Sequence, residues 1–142
     1  WYARTWSGMD LEIRVDDQDI SGMFILALVT NVHLYAGGLA EVAPSARIDD
    51  QQMDLWLFSG ETLAETLQHV WAVVTGNLSK SQQVASYRCR TLQIRSQQEL
   101  YLQVDGEPLT PATTVQIDIQ PQSLRVIVPE TLPRPLFSEK EI

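Results

Sequence analysis

At 142 residues, 44% hydrophobic and 20% charged, the chain has the material for one globular domain with its own core, spanning 1–142, and no room for two. Its net charge of −8 is the wrong sign for general attraction to phosphate backbones, which excludes nucleic-acid binding through bulk electrostatics. A single cysteine, Cys89, excludes an internal disulfide framework and a thiolate zinc cluster; it reads as a small buried hydrophobe in a reducing, cytoplasmic compartment.

The chain opens Trp1-Tyr-Ala-Arg-Thr-Trp6 with no initiating methionine and no signal-like apolar run, the pattern of a piece cut from a longer protein. Met9, Leu11, Ile13 and Val15 alternate with Asp10, Glu12 and Arg14, the period of a strand with one wet and one dry face. After a polar turn over Asp16 to Asp19, the stretch Ile20 to Val32 is apolar almost throughout, which predicts a central strand covered on both sides. Its longest apolar run, Met23 to Val29, is far short of the roughly 20 residues that span a bilayer. The chain can therefore touch a membrane but not cross it on that run.

From Tyr35 to Asp50 a glycine pair, Gly37-Gly38, and Pro44 lead to the acidic pair Asp49-Asp50, which stands just before a short strand at Met53 to Phe58. Carboxylates here offer hard oxygen ligands to a cation, or simply cap the next strand. Thr62 and Glu65 then make a capping box for a helix whose Leu63, Leu67, Val70, Trp71 and Val74 share one face, ending at Gly76-Asn77. Strand patterns resume at Val84 to Ile94, Leu100 to Val104, Thr114 to Ile119 and Ser123 to Val128, the last two joined by a tight turn at Pro121-Gln122. Between Cys89 and Ile94 the alternation slips by one, which predicts a β-bulge or a strand bending from one sheet to another. Many short strands and one helix predict an all-β fold, an antiparallel β-sandwich with one α-helix. The tail after Pro129 reads as frayed.

Val104-Asp-Gly-Glu-Pro108 is a hairpin-turn signature that also presents a carboxylate, Glu107. Arg88, Arg90 and Arg95 can meet a phosphate or line a solvated strand face. His33 and His69 form no ligand pair, no nucleophile elbow supports a hydrolase triad, and no GxxxxGK or GxGxxG phosphate loop is present.

Val29-Thr-Asn31, Gly37-Gly38, Ala43-Pro44, Ala46, Asp49-Asp50, Leu55, Val104-Asp-Gly-Glu-Pro108 and Gln120-Pro-Gln-Ser-Leu-Arg-Val126 occur in an order that resembles the diacylglycerol kinase-like lipid kinases, relatives of sphingosine and ceramide kinases included. The resemblance runs from about Met9 to Pro129 and covers the C-terminal, β-sandwich lobe; the nucleotide-binding lobe with its Gly-Gly-Asp-Gly motif is absent from this chain. It implies a full protein that transfers the γ-phosphoryl of ATP, with Mg²⁺, to a lipid hydroxyl such as that of diacylglycerol, with Glu107 as catalytic base. It implies Asp50 as ligand of a structural Mg²⁺, completed by the backbone carbonyls of Arg47 and Gln52. Where the family commonly has Asp-Gly, this chain has Asp50-Gln51, which weakens the metal site if that position needs positive φ. Peripheral membrane contact follows from a lipid substrate, and a homodimer stays open. Two rival readings are a non-catalytic β-sandwich that binds lipid or protein, and an NAD kinase-like enzyme.

Overall fold

The computed structural model describes residues 8–32, 34–35, 40–41, 43, 46–59, 84–127 and 137. Ten strands follow in chain order: β1 (Met9–Val15), β2 (Gln18–Thr30), β3 (Leu34–Tyr35), β4 (Ala40–Glu41), β5 (Met53–Ser59), β6 (Val84–Cys89), β7 (Thr91–Leu100), β8 (Gln103–Val104), β9 (Glu107–Pro108) and β10 (Ala112–Asp118). Six of them form one antiparallel sheet in the order β10-β7-β1-β2-β5-β6, while β3-β4 and β8-β9 are separate ribbons. The all-β expectation holds, and the described residues contain no helix. The helix expected over Thr62 to Gly76 lies outside the described residues, as do His33, His69, Gly37, Gly38 and Pro44.

Two corners turn this sheet into two facing layers. The first half of β2 pairs with β1, from Gln18 opposite Val15 to Phe24 opposite Met9, and the second half pairs with β5, from Phe24 opposite Ser59 to Thr30 opposite Asp54. The register slips between Phe24 and Leu26, so the strand changes partner and face at a bulge. Phe24 consequently packs with Ala27 and Val29 into one cluster, whereas Ile25 joins Phe58, Leu28, Trp56 and Val84 on the opposite face. The second corner is Arg90: β6 ends at Cys89 beside Met53, and β7 begins at Thr91 and pairs with β1. Corners of this kind, where a strand passes from one layer to the other, are how orthogonal sandwiches are built.

The core is the space between the layers. Leu11, Ile13 and Val15 of β1, Met53, Leu55 and Leu57 of β5, and Leu92 and Ile94 of β7 pack into a single cluster with Cys89 and Leu100. β6 stands at one edge of the sheet and β7 near the other, yet the single residue Arg90 joins them, so the sheet closes over itself. The period-2 pattern of each strand supplies the side chains, and the bends bring the dry faces together.

Several sequence expectations are corrected. The stretch from Val84 to Ile94 is two strands rather than one, because the bend at Arg90 divides it, so Arg88 and Arg90 do not share a strand. Only Phe24 and Ile25 are buried in β2: exposed and half-buried residues alternate from Asp19 to Met23, and from Ala27 to Thr30 both faces are half-buried. The segment expected as Leu100 to Val104 is interrupted: Leu100 closes β7, and the ribbon β8-β9 starts only at Gln103. Pro121-Gln122 does turn the chain, with Gln122 at φ 55°, but residues 123–127 form no strand, and Leu124, Val126 and Ile127 are exposed. Alternation supplies a face, whereas a strand also needs a hydrogen-bonding edge in register, and that segment takes none.

Candidate functional site

The Asp-Gly pair forms the expected hairpin. Asp105 and Gly106 have φ of 51° and 88°, Val104 pairs with Glu107, and the Leu109 amide donates to the Leu102 carbonyl at 2.9 Å to close the ribbon. Positive φ at both central positions is the turn whose twist matches flanking strands, which is why Asp-Gly occupies it. Glu107 is the first residue of β9 and is exposed, as are Tyr101, Val104 and Leu109 around it. The carboxylate is thus held on a short exposed ribbon outside the core.

The Asp50 loop is built differently. Ala43 and Ala46 are fully buried, and the Ala46 amide donates to the Ala43 carbonyl at 3.0 Å just before Arg47. Asp50 Oδ1 accepts from the Gln52 amide at 2.9 Å, the cap that the local sequence suggests. Gln51 between them has φ 62°. The conformation that glycine would favour is therefore kept by a glutamine, at a backbone cost of about 1 kcal/mol.

Sequence reasoning did not anticipate the partner of Asp50. Arg88 lies opposite Asp54 in the β5-β6 ladder, and its Nη2 donates to Asp50 Oδ2 while its Nε stands 3.9 Å from Asp54 Oδ1. Asp54 is buried, at 4% exposure, and burial raises its pKa above the ordinary 3.8, with Arg88 pulling it down and Asp50 adding to the rise. The signal available in the sequence was the charge complementarity of Asp54 and Arg88, which becomes visible only when the ladder register is known.

A structural Mg²⁺ at Asp50 has to be weighed against this geometry. Mg²⁺ takes oxygen ligands in near-octahedral array and dehydrates reluctantly. Both oxygens of Asp50 are already engaged, Oδ1 by the Gln52 amide and Oδ2 by the Arg88 guanidinium. With the Arg88 guanidinium in place, Asp50 Oδ2 is not open to the ion.

Arg90 and Arg95 are exposed; the Arg90 amide is bound to Asp16, and Arg95 stands opposite Glu12. Cys89 is buried as expected, and burial, reinforced by Asp16 and Asp54, pushes its thiol up to about 11, so it stays protonated and inert at neutral pH. On the outer face of the sheet lies an open groove of about 310 Å³ lined by Glu12, Ile13, Arg14, Asp19, Ile20, Ser21, Gln93 and Arg95. Its mostly polar and charged walls are not those of an acyl-chain pocket. No helix among the described residues is long and apolar enough to cross a membrane.

A two-layer all-β domain with strands that change layer at corners, carrying an acidic hairpin tip, is a β-sandwich-like domain. Residues 2–128 match the model of the YegS C-terminal NAD kinase beta sandwich-like domain, and the chain belongs to that kinase family. No curated protein matches it. Among solved structures it is similar to a diacylglycerol kinase from Bacillus anthracis str. Sterne, at 18% identity and TM-score 0.61 over 84% of this chain and 42% of that one. It is also similar to a "putative diacylglycerol kinase" of the same organism, at 20% identity and TM-score 0.64 over 80% of this chain and 39% of that one. At these identities the likeness is one of fold, and the chain spans less than half the length of either protein.

Proposed function

We propose that this domain is the C-terminal lobe of an ATP-dependent lipid kinase, cytoplasmic and peripheral to the membrane, that phosphorylates a lipid hydroxyl such as that of diacylglycerol. The family and the solved kinases of like fold support the reaction class. The observation that carries the reading is Glu107, exposed on a two-stranded ribbon whose turn is fixed by Asp105 and Gly106. A phosphoryl acceptor must lose its hydroxyl proton as the new P–O bond forms, and a carboxylate within hydrogen-bond reach takes it. Glu107 would serve as that base, while Asp105 shapes the turn. ATP and its Mg²⁺ would be bound mainly by a nucleotide lobe outside this domain.

The test is labelled-phosphate transfer by the full-length protein over a panel of acylglycerols, sphingoid bases and polar-headed lipids, beside Glu107→Gln and Glu107→Ala. The expected result is one preferred lipid and a loss of rate of about 10²-fold or more in both variants. A Glu107→Ala enzyme with unchanged rate would remove Glu107 from the chemistry. The family's printed description favours one second reading, an NAD kinase-like enzyme. Phosphorylation of soluble NAD in place of every lipid would establish it.

A further inference from the structure

We propose that the guanidinium of Arg88 occupies the place of a structural cation at the Asp50 loop, so that the loop holds its shape without a metal ion. The arrangement follows from the ladder. Antiparallel pairing of β5 with β6 sets Arg88 directly opposite Asp54, and the side chain then reaches past it to Asp50, four residues earlier in the chain. One arginine thereby draws the buried Asp54 and the half-buried Asp50 to a common positive centre, its Nη2 on one carboxylate and its Nε near the other.

The second oxygen of Asp50 closes the loop on itself through the Gln52 amide, with Gln51 held left-handed between them. A loop ordered in this way already has what a bound ion would contribute, namely a positive charge between acidic groups and a fixed carboxylate orientation. An arriving Mg²⁺ would have to shed water and displace or approach a guanidinium tethered to the neighbouring strand β6, and like-charge repulsion opposes both. Arg88 cannot diffuse away, so the loop is indifferent to chelators. This inference concerns the architecture of the loop and stands apart from the lipid-kinase reading.

The experiment is thermal unfolding of the full chain in EDTA and in millimolar Mg²⁺ at matched ionic strength. A metal bound to the folded state alone and well above its dissociation constant raises the melting temperature by several degrees. The expected result is the same melting temperature in both media for the wild type. Arg88→Met should melt lower and regain part of the loss with Mg²⁺, because two facing carboxylates are left without their cation. Arg88→Lys, which keeps the charge, should stay indifferent to Mg²⁺ and serves if Arg88→Met does not fold. A wild-type gain of several degrees with Mg²⁺ that Asp50→Asn abolishes would overturn the proposal, as would an Arg88→Met protein that melts with the wild type in EDTA. No activity is read, so failure here leaves the role of Glu107 untouched.

Discussion

Asp16 and Thr91 hold each other in both directions: the Asp16 amide donates to the Thr91 carbonyl at 3.0 Å, and Asp16 Oδ1 accepts from the Thr91 amide at 2.9 Å and its hydroxyl at 3.2 Å. The same oxygen accepts from the Arg90 amide at 2.9 Å. The β1-β2 turn, with Asp16 at φ 50°, is thus fastened to the corner where β6 becomes β7. Bending a strand frees backbone amides from the ladder, and this carboxylate satisfies two of them.

Asp16→Ala should therefore destabilise the domain by about 1 kcal/mol, the net worth of such bonds at an exposed position. Urea unfolding measures it. Asp16→Gly relieves the left-handed backbone that strains alanine but lacks the carboxylate, so it should stay below wild type by the worth of the clamp. A glycine variant as stable as wild type would mean that strain, not the clamp, matters at this corner.

The acidic limb of the stability curve should carry the same signature. Hydrogen bonds from Thr91 and Arg90 hold the Asp16 pKa below its ordinary 3.8, with the Thr91 amide the largest influence. A depressed folded-state pKa gives stability that is present above the unfolded value and is lost as pH falls through the folded one. The gap between wild type and Asp16→Asn should hold at neutral pH and narrow below pH 3.8. A gap that does not change with pH would rule out the ionised clamp.

Asp54 should behave in the opposite sense. Its pKa is raised, burial outweighing Arg88, so the fold favours the protonated form. Stability from this group is full below pH 3.8 and is lost as pH rises from there through the folded value. Asp54→Asn, which mimics the neutral acid, should raise the melting temperature at pH 7 and match wild type at low pH. Destabilisation at pH 7 would show that the pairing with Arg88 exceeds the burial cost.

Gln51→Gly should stabilise the loop by up to about 1 kcal/mol, since φ 62° costs a glutamine what it does not cost glycine, less the entropy glycine adds to the unfolded chain. Differential scanning calorimetry is the check. A loss of stability would mean that the Gln51 side chain holds the loop.

Gly106→Ala tests the hairpin that presents Glu107. A Cβ there meets no atom within 4 Å, so only the backbone, at φ 88°, resists the change. Global stability should fall by no more than about 1 kcal/mol, while transfer by the full-length protein falls as the turn that aims Glu107 is lost. Unchanged transfer would separate the turn geometry from the function.

The strands were legible because burial imposes a period of two: Leu11, Ile13 and Val15 could be assigned to one face before any partner was known. The Asp105-Gly106 turn was equally local, since left-handed conformations select their residues. The slip after Cys89 announced the corner at Arg90 but did not say where β7 would go. Residues 123–127 show the limit from the other side, for Leu124 and Val126 alternate with polar Ser123 and Arg125 and yet the segment pairs with nothing in the ladders described.

By itself, the sequence determined the all-β class, the dry faces of β1 and β10, the hairpin that carries Glu107 and the cap of Asp50 on Gln52, all of which depend on neighbours a few residues apart. Tertiary structure alone decided that β2 and the β6-β7 strand cross between layers, that Asp16 grips the second of these corners, and that Arg88 lies between Asp50 and Asp54. Those relationships join groups dozens of residues apart, and ladder register and closure, which no local pattern encodes, set which of many compatible charges and edges meet.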